Sequence, residues 1–403
     1  MNNIDDMKGK NYCTSCGMCS AICPKDAIQI TLDNNGFYRP VINEELCIHC
    51  GICKQICYKY DENYSKEKIK FHPICLSAKN KNKNELHNAS SGAVSIELMK
   101  ICLELGYKVV GVKYDYEKDT AVSKIASTNH ELLGFRGSKY FQSYTEDAFK
   151  QVMKDNSKQK YAIFGTPCQI YAFSKAAELR RRQDKFLLID IFCHGCPSIN
   201  LWSKYIKDIK EKIKLSKFDL IKFRSKTYFW HEFCFDFKSG NKKFTSSKYG
   251  DPFYELFFGM DIMNEACYNC IARSSMVKTD IRLGDFWGWQ YDLDKEGVSA
   301  VVINSEKGKE IFNRVIDKFI IKEFSFKEII EAQSYGKEHN YDKQRRLVVL
   351  EDLNSNLSMR RIQKKYRKML PISNQLKRML KNFLKIFLGD FYIKLRQKKH
   401  KKI

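Results

Sequence analysis

The chain has 403 residues, of which 43% are hydrophobic and 13% aromatic. At about 150 residues per domain this length predicts two to three domains, and the apolar content excludes global disorder. The net charge is +24, but residues 359–403 alone hold sixteen Lys or Arg and one acidic residue. The rest of the chain is therefore only moderately basic. We expect no nucleic-acid partner, because the basic tail lacks interleaved recognition motifs.

The cysteine content indicates the compartment and the type of chemistry. We find no N-terminal apolar signal segment and no apolar run of about 18 residues, so we expect a cytoplasmic protein. The chain contains sixteen cysteines. In a reducing compartment, this density of cysteines is typical of metal or redox chemistry rather than disulfides.

The first 57 residues contain two copies of one cysteine pattern. Each copy has three cysteines separated by two residues and a fourth after three more, as in bacterial ferredoxins, where the fourth cysteine binds the other cluster. The pattern predicts a ferredoxin-like module with two [4Fe-4S] clusters over residues 1–62. The expected ligands are Cys13, Cys16, Cys19 and Cys57 for the first cluster, and Cys47, Cys50, Cys53 and Cys23 for the second.

A zinc site is the alternative for these cysteines, but zinc ribbons use two cysteine pairs with a longer gap between them. His49 lies within the second copy, where the number of cysteines is already sufficient, so we interpret it as a neighbouring or surface residue. Tyr58 follows Cys57 at the position where the first copy has Pro24. This change loosens the turn without removing a ligand.

A second domain is predicted over residues 89–345, after a polar linker over residues 63–88. The linker is rich in Lys and Asn, and apolar residues around Phe71 to Leu76 predict one short packed piece within it. The residues Ser90-Ser91-Gly92 precede an apolar-periodic run, residues 93–105, which predicts a helix with a serine cap. Short β-branched or aromatic segments predict strands at 107–114, 161–164, 186–192 and 298–304. Because helix-like sequence follows these strands, we expect an α+β chain with a mixed α/β second domain.

Chemically distinctive residues lie at the ends of these strands, where open α/β sheets place their ligands. They are Gly165-Thr166-Pro167-Cys168-Gln169, Cys193-His194-Gly195-Cys196, and the pair Cys267-x2-Cys270 with Gly284-Asp285-Phe286-Trp287-Gly288 after it. Two single thiols and one close pair supply four soft ligands, enough for a third [4Fe-4S] cluster or for a zinc ion.

Over roughly residues 70–330 these motifs, in this order, resemble the iron–sulfur flavoproteins related to the beta subunit of coenzyme F420 hydrogenase and F420-dependent dehydrogenases. The motifs that carry the resemblance are Ser90-Ser91-Gly92, Arg136-Gly137-Ser138-Lys139-Tyr140, Gly165-Thr166-Pro167-Cys168-Gln169, Cys193-His194-Gly195, Cys267-x2-Cys270 and Gly284-Asp285-Phe286-Trp287-Gly288. An N-terminal ferredoxin module often accompanies this domain in that family.

The resemblance implies a bound flavin, usually FAD, beside a [4Fe-4S] cluster. The implied cluster ligands are Cys168, Cys193, Cys267 and Cys270. The residues implied to contact the flavin are Ser90, Ser91, Gly92, Arg136, Gly137, Ser138, Lys139, Thr166 and Pro167, and His194 is the candidate catalytic proton donor. Cys196 departs from the family pattern, so it is an alternative ligand, a reactive thiol or a small buried side chain.

Each of these residues also has an ordinary structural interpretation. The serines are consistent with a helix cap, although free amides at a helix N-terminus also bind phosphate. Arg136 and Lys139 are consistent with a basic turn. His194 is consistent with a histidine at a strand end whose ring nitrogens have hydrogen-bond partners. Core packing is the expected role of Asp285, Phe286 and Trp287, and also of the cysteines in apolar surroundings, Cys75, Cys102 and Cys234.

The number of electrons that each type of cofactor transfers predicts a function. Clusters carry one electron at a time whereas a hydride carrier transfers two, and a flavin converts between them. We therefore predict an oxidoreductase that exchanges electrons with a redox protein such as ferredoxin and hydride with coenzyme F420 or another small molecule. The resemblance also connects ferredoxin-fused members with cell-surface polysaccharide biosynthesis. The alternative function is a non-catalytic electron-transfer subunit of a larger redox complex.

Residues 346–403 are predicted to form a basic helical tail. Pairs of apolar residues recur every four positions from Leu376 to Leu395, with Lys and Arg between them, which is typical of an amphipathic helix. Docking on the protein's own body and peripheral contact with an anionic membrane at its inner face are both consistent with this pattern.

Overall fold

An eight-stranded mixed sheet forms the centre of the chain. The structure is a computed structural model and describes residues 2–6, 13–67, 71–247, 249–331, 333–373, 375–376 and 380. Its strands are β1 Ile28–Leu32, β2 Tyr38–Ile42, β3 Ile74–Asn80, β4 Tyr107–Asp115, β5 Thr120–Ala126, β6 Lys160–Phe164, β7 Phe186–Ile191, β8 Leu220–Lys222, β9 Asp236–Ser239, β10 Lys242–Thr245, β11 Ile281–Asp285, β12 Ser299–Ile303 and β13 Phe319–Glu323.

The large sheet has the strand order β13-β3-β12-β11-β7-β6-β4-β5, while β1-β2 and β10-β9-β8 form two small antiparallel sheets. The α-helices are α1 Met18–Ile22, α2 Ile52–Gln55, α3 Lys83–Asn88, α4 Val94–Glu104, α5 Asn129–Leu132, α6 Glu146–Lys154, α7 Pro167–Leu179, α8 Ile199–Ile213, α9 Pro252–Gly259, α10 Glu306–Asn313, α11 Phe326–Glu331, α12 Lys343–Asn354 and α13 Met359–Met369.

The direction of the strands determines where the sequence motifs meet. β4, β6, β7 and β11 are parallel to one another, whereas β12 is antiparallel to β11 and β3 is antiparallel to β12. The carboxyl ends of β6, β7, β11 and β3 therefore lie at one edge of the sheet, together with the start of β12. We call this edge the carboxyl edge.

The predicted helix over residues 93–105 and the four predicted strands are confirmed as α4, β4, β6, β7 and β12. The linker prediction for residues 63–88 is wrong for residues 74–80, because β3 pairs with both β12 and β13 inside the large sheet. Polar residues around a short strand produced this error. The short packed piece expected around Phe71 to Leu76 overlaps the start of this strand. Leu76 and Ala78 of β3 are buried, whereas the Lys-rich residues that follow it are exposed.

The two halves of the cysteine repeat fold alike. Gly17 precedes α1 with φ 77°, and Gly51 precedes α2 with φ 73°. A residue with a Cβ atom is strained at such φ values, so glycine permits the tight turn between the cysteines.

The N-terminal module packs directly on the rest of the chain. The Glu146 carboxylate on α6 accepts hydrogen bonds from the Ser20 hydroxyl at 2.8 Å and from the Ile30 amide at 2.9 Å. The Asn264 side-chain amide donates to the Cys13 carbonyl and to the Ser15 hydroxyl, each at 3.0 Å. The module is therefore held in one orientation against the carboxyl edge.

The described part of the C-terminal region also packs on the body. Met359, Ile362 and Tyr366 of α13 are buried, and α13 lies against α9 and α12. Of the predicted amphipathic run, only residues 376 and 380 belong to the described residues, so the predicted membrane contact lies outside them. Within the described ranges no helix is long and apolar enough to cross a membrane.

Candidate iron–sulfur and cofactor site

The cysteines of the ferredoxin-like module line two separate cavities. One cavity is lined by Cys13, Cys16, Cys19 and Cys57, and Cys53 also borders it. The other is lined by Cys23, Cys47, Cys50 and Cys53. The structure thus brings the cysteines together in the same two groups that the crossed ferredoxin pattern predicts, and we call them the inner group and the outer group.

The two groups differ in their exposure to solvent. Cys50 of the outer group is exposed, as is the neighbouring His49. In the inner group, burial raises the pKa of Cys16 to about 11. An isolated Cys16 thiol is therefore protonated near neutral pH, and binding of iron requires its replacement by the thiolate. The outer group therefore reaches solvent at Cys50, whereas no cysteine of the inner group is exposed.

A third group of thiols lies at the carboxyl edge. Cys168 begins α7 directly after β6, Cys193 follows β7, and Cys267 and Cys270 lie in the loop before β11. Cys168 and Cys270 pack against the same cluster of buried tyrosines. Burial raises the pKa of Cys168, and the charges of Cys16, Cys270 and Cys193 raise it further. We call these four residues, which the family resemblance singled out, the third group.

Cys196 adds a fifth thiol to this region. Its side chain interacts with both Cys193 and Cys267, and the interaction with Cys196 is the main reason that the pKa of Cys267 falls to about 7. Of the three interpretations of Cys196, the simple buried side chain is the least consistent with these contacts.

A buried cation beside the third group shows that its surroundings fit an anionic cluster. Arg273 is 3% exposed and donates from Nη2 to the carbonyls of Cys267 and Tyr268. Among the described residues its Nε and Nη1 have no hydrogen-bond partner, and Arg273 forms no ion pair with a carboxylate. A buried, unpaired charge is costly. The negative charge of an iron–sulfur cluster with four thiolates would compensate it.

The serines before α4 do not cap this helix, contrary to the expectation of a serine cap. The capping position is Ala93, and no side chain caps the helix. Instead, the Ser91 hydroxyl donates to the Val298 carbonyl at 2.8 Å, and the Ser90 hydroxyl accepts from the Ser138 amide at 2.9 Å. The serines therefore join two loops at the carboxyl edge rather than ending a helix.

Four basic residues surround this junction of loops, which we call the basic seat: Arg136, Lys139, Lys222 and Lys226. The Lys226 ammonium donates to the carbonyls of Leu86 and Ser91 at 2.6 and 2.8 Å. The Lys139 ammonium donates to the carbonyls of Gly134 and Arg136 at 3.2 and 3.0 Å. Burial lowers the pKa of each lysine, Lys139 and Lys226, to about 7.

Neither Lys139 nor Lys226 forms an ion pair with a carboxylate within the described residues. Arg136 is different, because it pairs with Glu85 at 2.6 Å. Burial of an ammonium group without a counter-ion is costly, and an anion bound beside it would compensate its charge. The basic seat therefore fits the phosphate groups of a nucleotide cofactor.

Other predicted residues have mainly structural roles. Thr166 and Gln169 form a capping box at the start of α7, so Thr166 and Pro167 position Cys168. Asp285 forms an ion pair with the buried Arg224, whose guanidinium lies 4.8 Å from the Trp287 ring centroid. Phe286 is buried, and so are Cys75, Cys102 and Cys234. The prediction that these four residues pack in the core is confirmed.

His194 is enclosed beside the third group. Its Nδ1 lies 3.0 Å from the Ser334 hydroxyl, and within the described residues its buried Nε2 has no hydrogen-bond partner. Burial, and secondarily the charge of Arg273, lower the pKa of His194 to about 4. The ring is therefore neutral near pH 7. A neutral ring with Nδ1 accepting can donate a hydrogen bond from Nε2, but it is a weak proton donor.

Sequence reasoning missed Lys222, Lys226 and Arg273. Lys222 ends the three-residue strand β8, and Lys226 lies four residues further along the chain. Arg273 lies in the 3-10 turn Ile271–Ser274, which follows Cys270. Lysine and arginine are common throughout this chain, so only the burial of Arg273 and the partial burial of Lys222 and Lys226 distinguish these residues. For Arg273 the sequence offers one signal, its position three residues after Cys270.

Two regions of the chain match models of known protein families. Residues 158–328 match the family model for the C terminus of the coenzyme F420 hydrogenase/dehydrogenase beta subunit, and residues 12–59 match a 4Fe-4S dicluster domain. Residues 158–328 are therefore similar to the C-terminal part of coenzyme F420 hydrogenase/dehydrogenase beta subunits, and residues 12–59 to a 4Fe-4S dicluster domain. The family resemblance and the presence of [4Fe-4S] clusters in the N-terminal module are thereby confirmed.

A curated relative of this family is "Coenzyme F420 hydrogenase subunit beta" from Methanococcus voltae, which is 26% identical over 206 residues. The match covers 50% of this chain and 65% of the relative. A solved chain from the "F420-reducing [NiFe] hydrogenase complex from Methanosarcina barkeri" is 19% identical, with a TM-score of 0.45, over 74% of this chain and 91% of that chain.

Proposed function

We propose that the chain is an iron–sulfur flavoprotein oxidoreductase. It exchanges electrons with a redox protein at its N-terminal module and hydride with a small molecule at the carboxyl edge. The observation that carries this proposal is the position of the third group and the basic seat at the same edge of the sheet, with the inner group docked against it. Sites for a metal cluster and for a nucleotide cofactor therefore occur together.

Bound iron–sulfur clusters would carry single electrons, and a bound flavin would convert between single electrons and hydride. The chain's own residues bind and orient these groups. Lys139 and Lys226 hold the phosphates of the flavin. Arg273 offsets the negative charge at the third group. His194 donates a hydrogen bond from Nε2 and helps to orient the substrate.

Coenzyme F420 is the first hydride carrier to examine, because the Methanococcus voltae relative is named for it. Since this chain spans only 65% of that relative, the choice of carrier is a proposal. Another small-molecule carrier, and a role in cell-surface polysaccharide biosynthesis, are proposals that rest on the family resemblance alone.

The redox protein partner is proposed to bind at the outer group. Cys50 is exposed there, and two apolar residues beside it, Leu46 and Ile48, are also exposed at 50% and 56%. A small protein such as ferredoxin approaches a cluster most closely at such a surface. Peripheral membrane contact through the C-terminal tail is a separate proposal. Unchanged binding to anionic vesicles after deletion of residues 371–403 would refute it.

Hydride exchange tests the function directly. The full chain is purified anaerobically, reduced with dithionite, freed of excess reductant and mixed with oxidised coenzyme F420 or NAD. We expect the absorbance of one carrier to change as hydride is transferred. In a second assay, reduced ferredoxin is the electron donor. Cys168→Ser should abolish hydride transfer in this assay, whereas Cys102→Ala, the matched change of a buried core thiol, should retain it. A chain with no flavin and no transfer to any carrier is instead a non-catalytic electron-transfer subunit.

A further inference from the structure

Tyr58 connects the inner group to the third group. It follows Cys57 directly in the chain and begins a short 3-10 turn, residues 58–60. Its side chain is 4% exposed, and its hydroxyl lies 3.5 Å from the Cys270 Sγ. One residue is thus attached by its backbone to an inner-group cysteine and hydrogen-bonded by its side chain to a third-group cysteine.

The direction of this hydrogen bond follows from the chemistry of the two atoms. A cysteine that binds iron does so as a thiolate, which carries no proton to donate. A tyrosine keeps its proton near neutral pH, since its ordinary pKa is about 10. When Cys270 binds a cluster, the Tyr58 hydroxyl must therefore be the donor.

The packing of Tyr58 fixes this geometry. Its ring centroid lies 5.9 Å from that of Tyr64 and 5.8 Å from that of Tyr171, and all three rings are buried. Tyr171 lies on α7, the helix that begins beside Cys168. The hydroxyl of Tyr58 is consequently held in place by the same elements that position the third group.

We propose that Tyr58 is a positioning residue whose hydroxyl hydrogen-bonds to the Cys270 sulfur and raises the reduction potential of the third iron–sulfur site. This inference rests on the proposed third cluster. Reduction of that cluster adds one electron and no proton, so its negative charge increases while all ligand bonds are kept. A hydrogen-bond donor stabilises the more negative state, and hydrogen bonds to sulfur are among the factors that determine cluster potentials.

The test is a redox titration followed by electron paramagnetic resonance on the full chain, purified anaerobically. Tyr58→Phe removes only the hydroxyl. We expect the ratio of reduced to oxidised third cluster at a fixed potential to fall about fivefold, equivalent to about 40 mV for one electron. The two clusters of the N-terminal module should keep their potentials. The control is Tyr64→Phe, which removes a hydroxyl from a neighbouring ring that is also buried. It should leave the potentials of all three iron–sulfur clusters unchanged.

A second variant separates this effect from structural damage. Incorporation of 3-fluorotyrosine at position 58 keeps the hydroxyl and makes it a stronger donor, so the potential should shift upwards. Shifts of opposite sign in the two variants support the proposal, because damage to packing would not reverse its sign. Equal potentials in the wild-type chain and in both variants overturn this inference alone. Wild-type protein that binds only the two N-terminal clusters overturns it together with the proposed third cluster.

Discussion

Removal of the Lys226 ammonium tests the basic seat. Lys226→Met keeps the length of the side chain and removes its charge. A hydrogen bond to a charged group contributes about 1.5–3 kcal/mol, and about 1.4 kcal/mol changes an equilibrium tenfold. We therefore expect the dissociation constant for FAD to rise roughly 10- to 100-fold. Lys207→Met, which changes an exposed lysine on α8, is the matched control and should leave the affinity unchanged.

The pH dependence of binding gives a second, independent measure. Burial, and secondarily Arg224, lower the pKa of Lys226 to about 7, while Asp285, Asp294 and Glu296 oppose this shift. Only the protonated lysine attracts a phosphate, and a bound phosphate raises its pKa. Affinity should therefore be full below pH 7 and fall as the pH rises. The loss is about tenfold per pH unit for one lysine, and steeper if Lys139 also titrates.

The assay is a titration of the anaerobic apoprotein with FAD between pH 6 and 9, monitored by flavin fluorescence. The wild-type chain should show the pH dependence, and Lys226→Met should show a shallower one. Thermal unfolding without flavin serves as the control for folding of each variant. A dissociation constant that is the same in wild type and Lys226→Met, and independent of pH, would refute the assignment of the basic seat to the cofactor phosphates.

Three further changes test the fold and the metal sites. Gly92→Ala places a Cβ atom 2.1 Å from a backbone carbonyl of β3, so denaturant unfolding should show a loss of about 1–3 kcal/mol. Arg282→Met leaves the buried Asp190 without its partner at 2.5 Å and should cost about 3–5 kcal/mol in the same assay. Addition of Asp190→Asn should recover part of this loss. Cys50→Ser should lose about four irons per chain, whereas Cys75→Ser should lose none.

Each of these three predictions would be contradicted by a specific result. An Ala variant at position 92 as stable as the wild type would mean that the loop moves freely. A single Arg282 variant no less stable than the double variant would mean that Asp190 does not remain charged in the core. Equal iron contents in the two cysteine variants would remove Cys50 from the ligands of the outer group.

The metal-binding part of the site is the part that local sequence predicts best. Cluster ligands must occur at fixed short spacings, so Cys13 to Cys23 and Cys47 to Cys57 identify their module without knowledge of the fold. The alternation of helices and β-branched segments likewise predicts the parallel strands of the large sheet, because those strands are buried on both faces.

The remaining features depend on contacts between distant residues. β3 resembles a linker in sequence because its neighbours are polar, and only its pairing with β12 and β13 identifies it as a strand. Ser90 and Ser91 resemble a helix cap until the contacts with Ser138 and Val298 are known. Lys226 is likewise distinguished by its enclosure, which depends on loops far away in the sequence.

The central claim is that three iron–sulfur sites and a flavin occur in one chain. The most direct measurement is the content of iron, acid-labile sulfide and flavin after anaerobic purification. The account predicts about twelve irons and twelve sulfides per chain, four of each for every cluster, with one FAD. About eight irons and no flavin would leave only the two clusters of the N-terminal module. That result would contradict both the third site and the flavin-dependent activity.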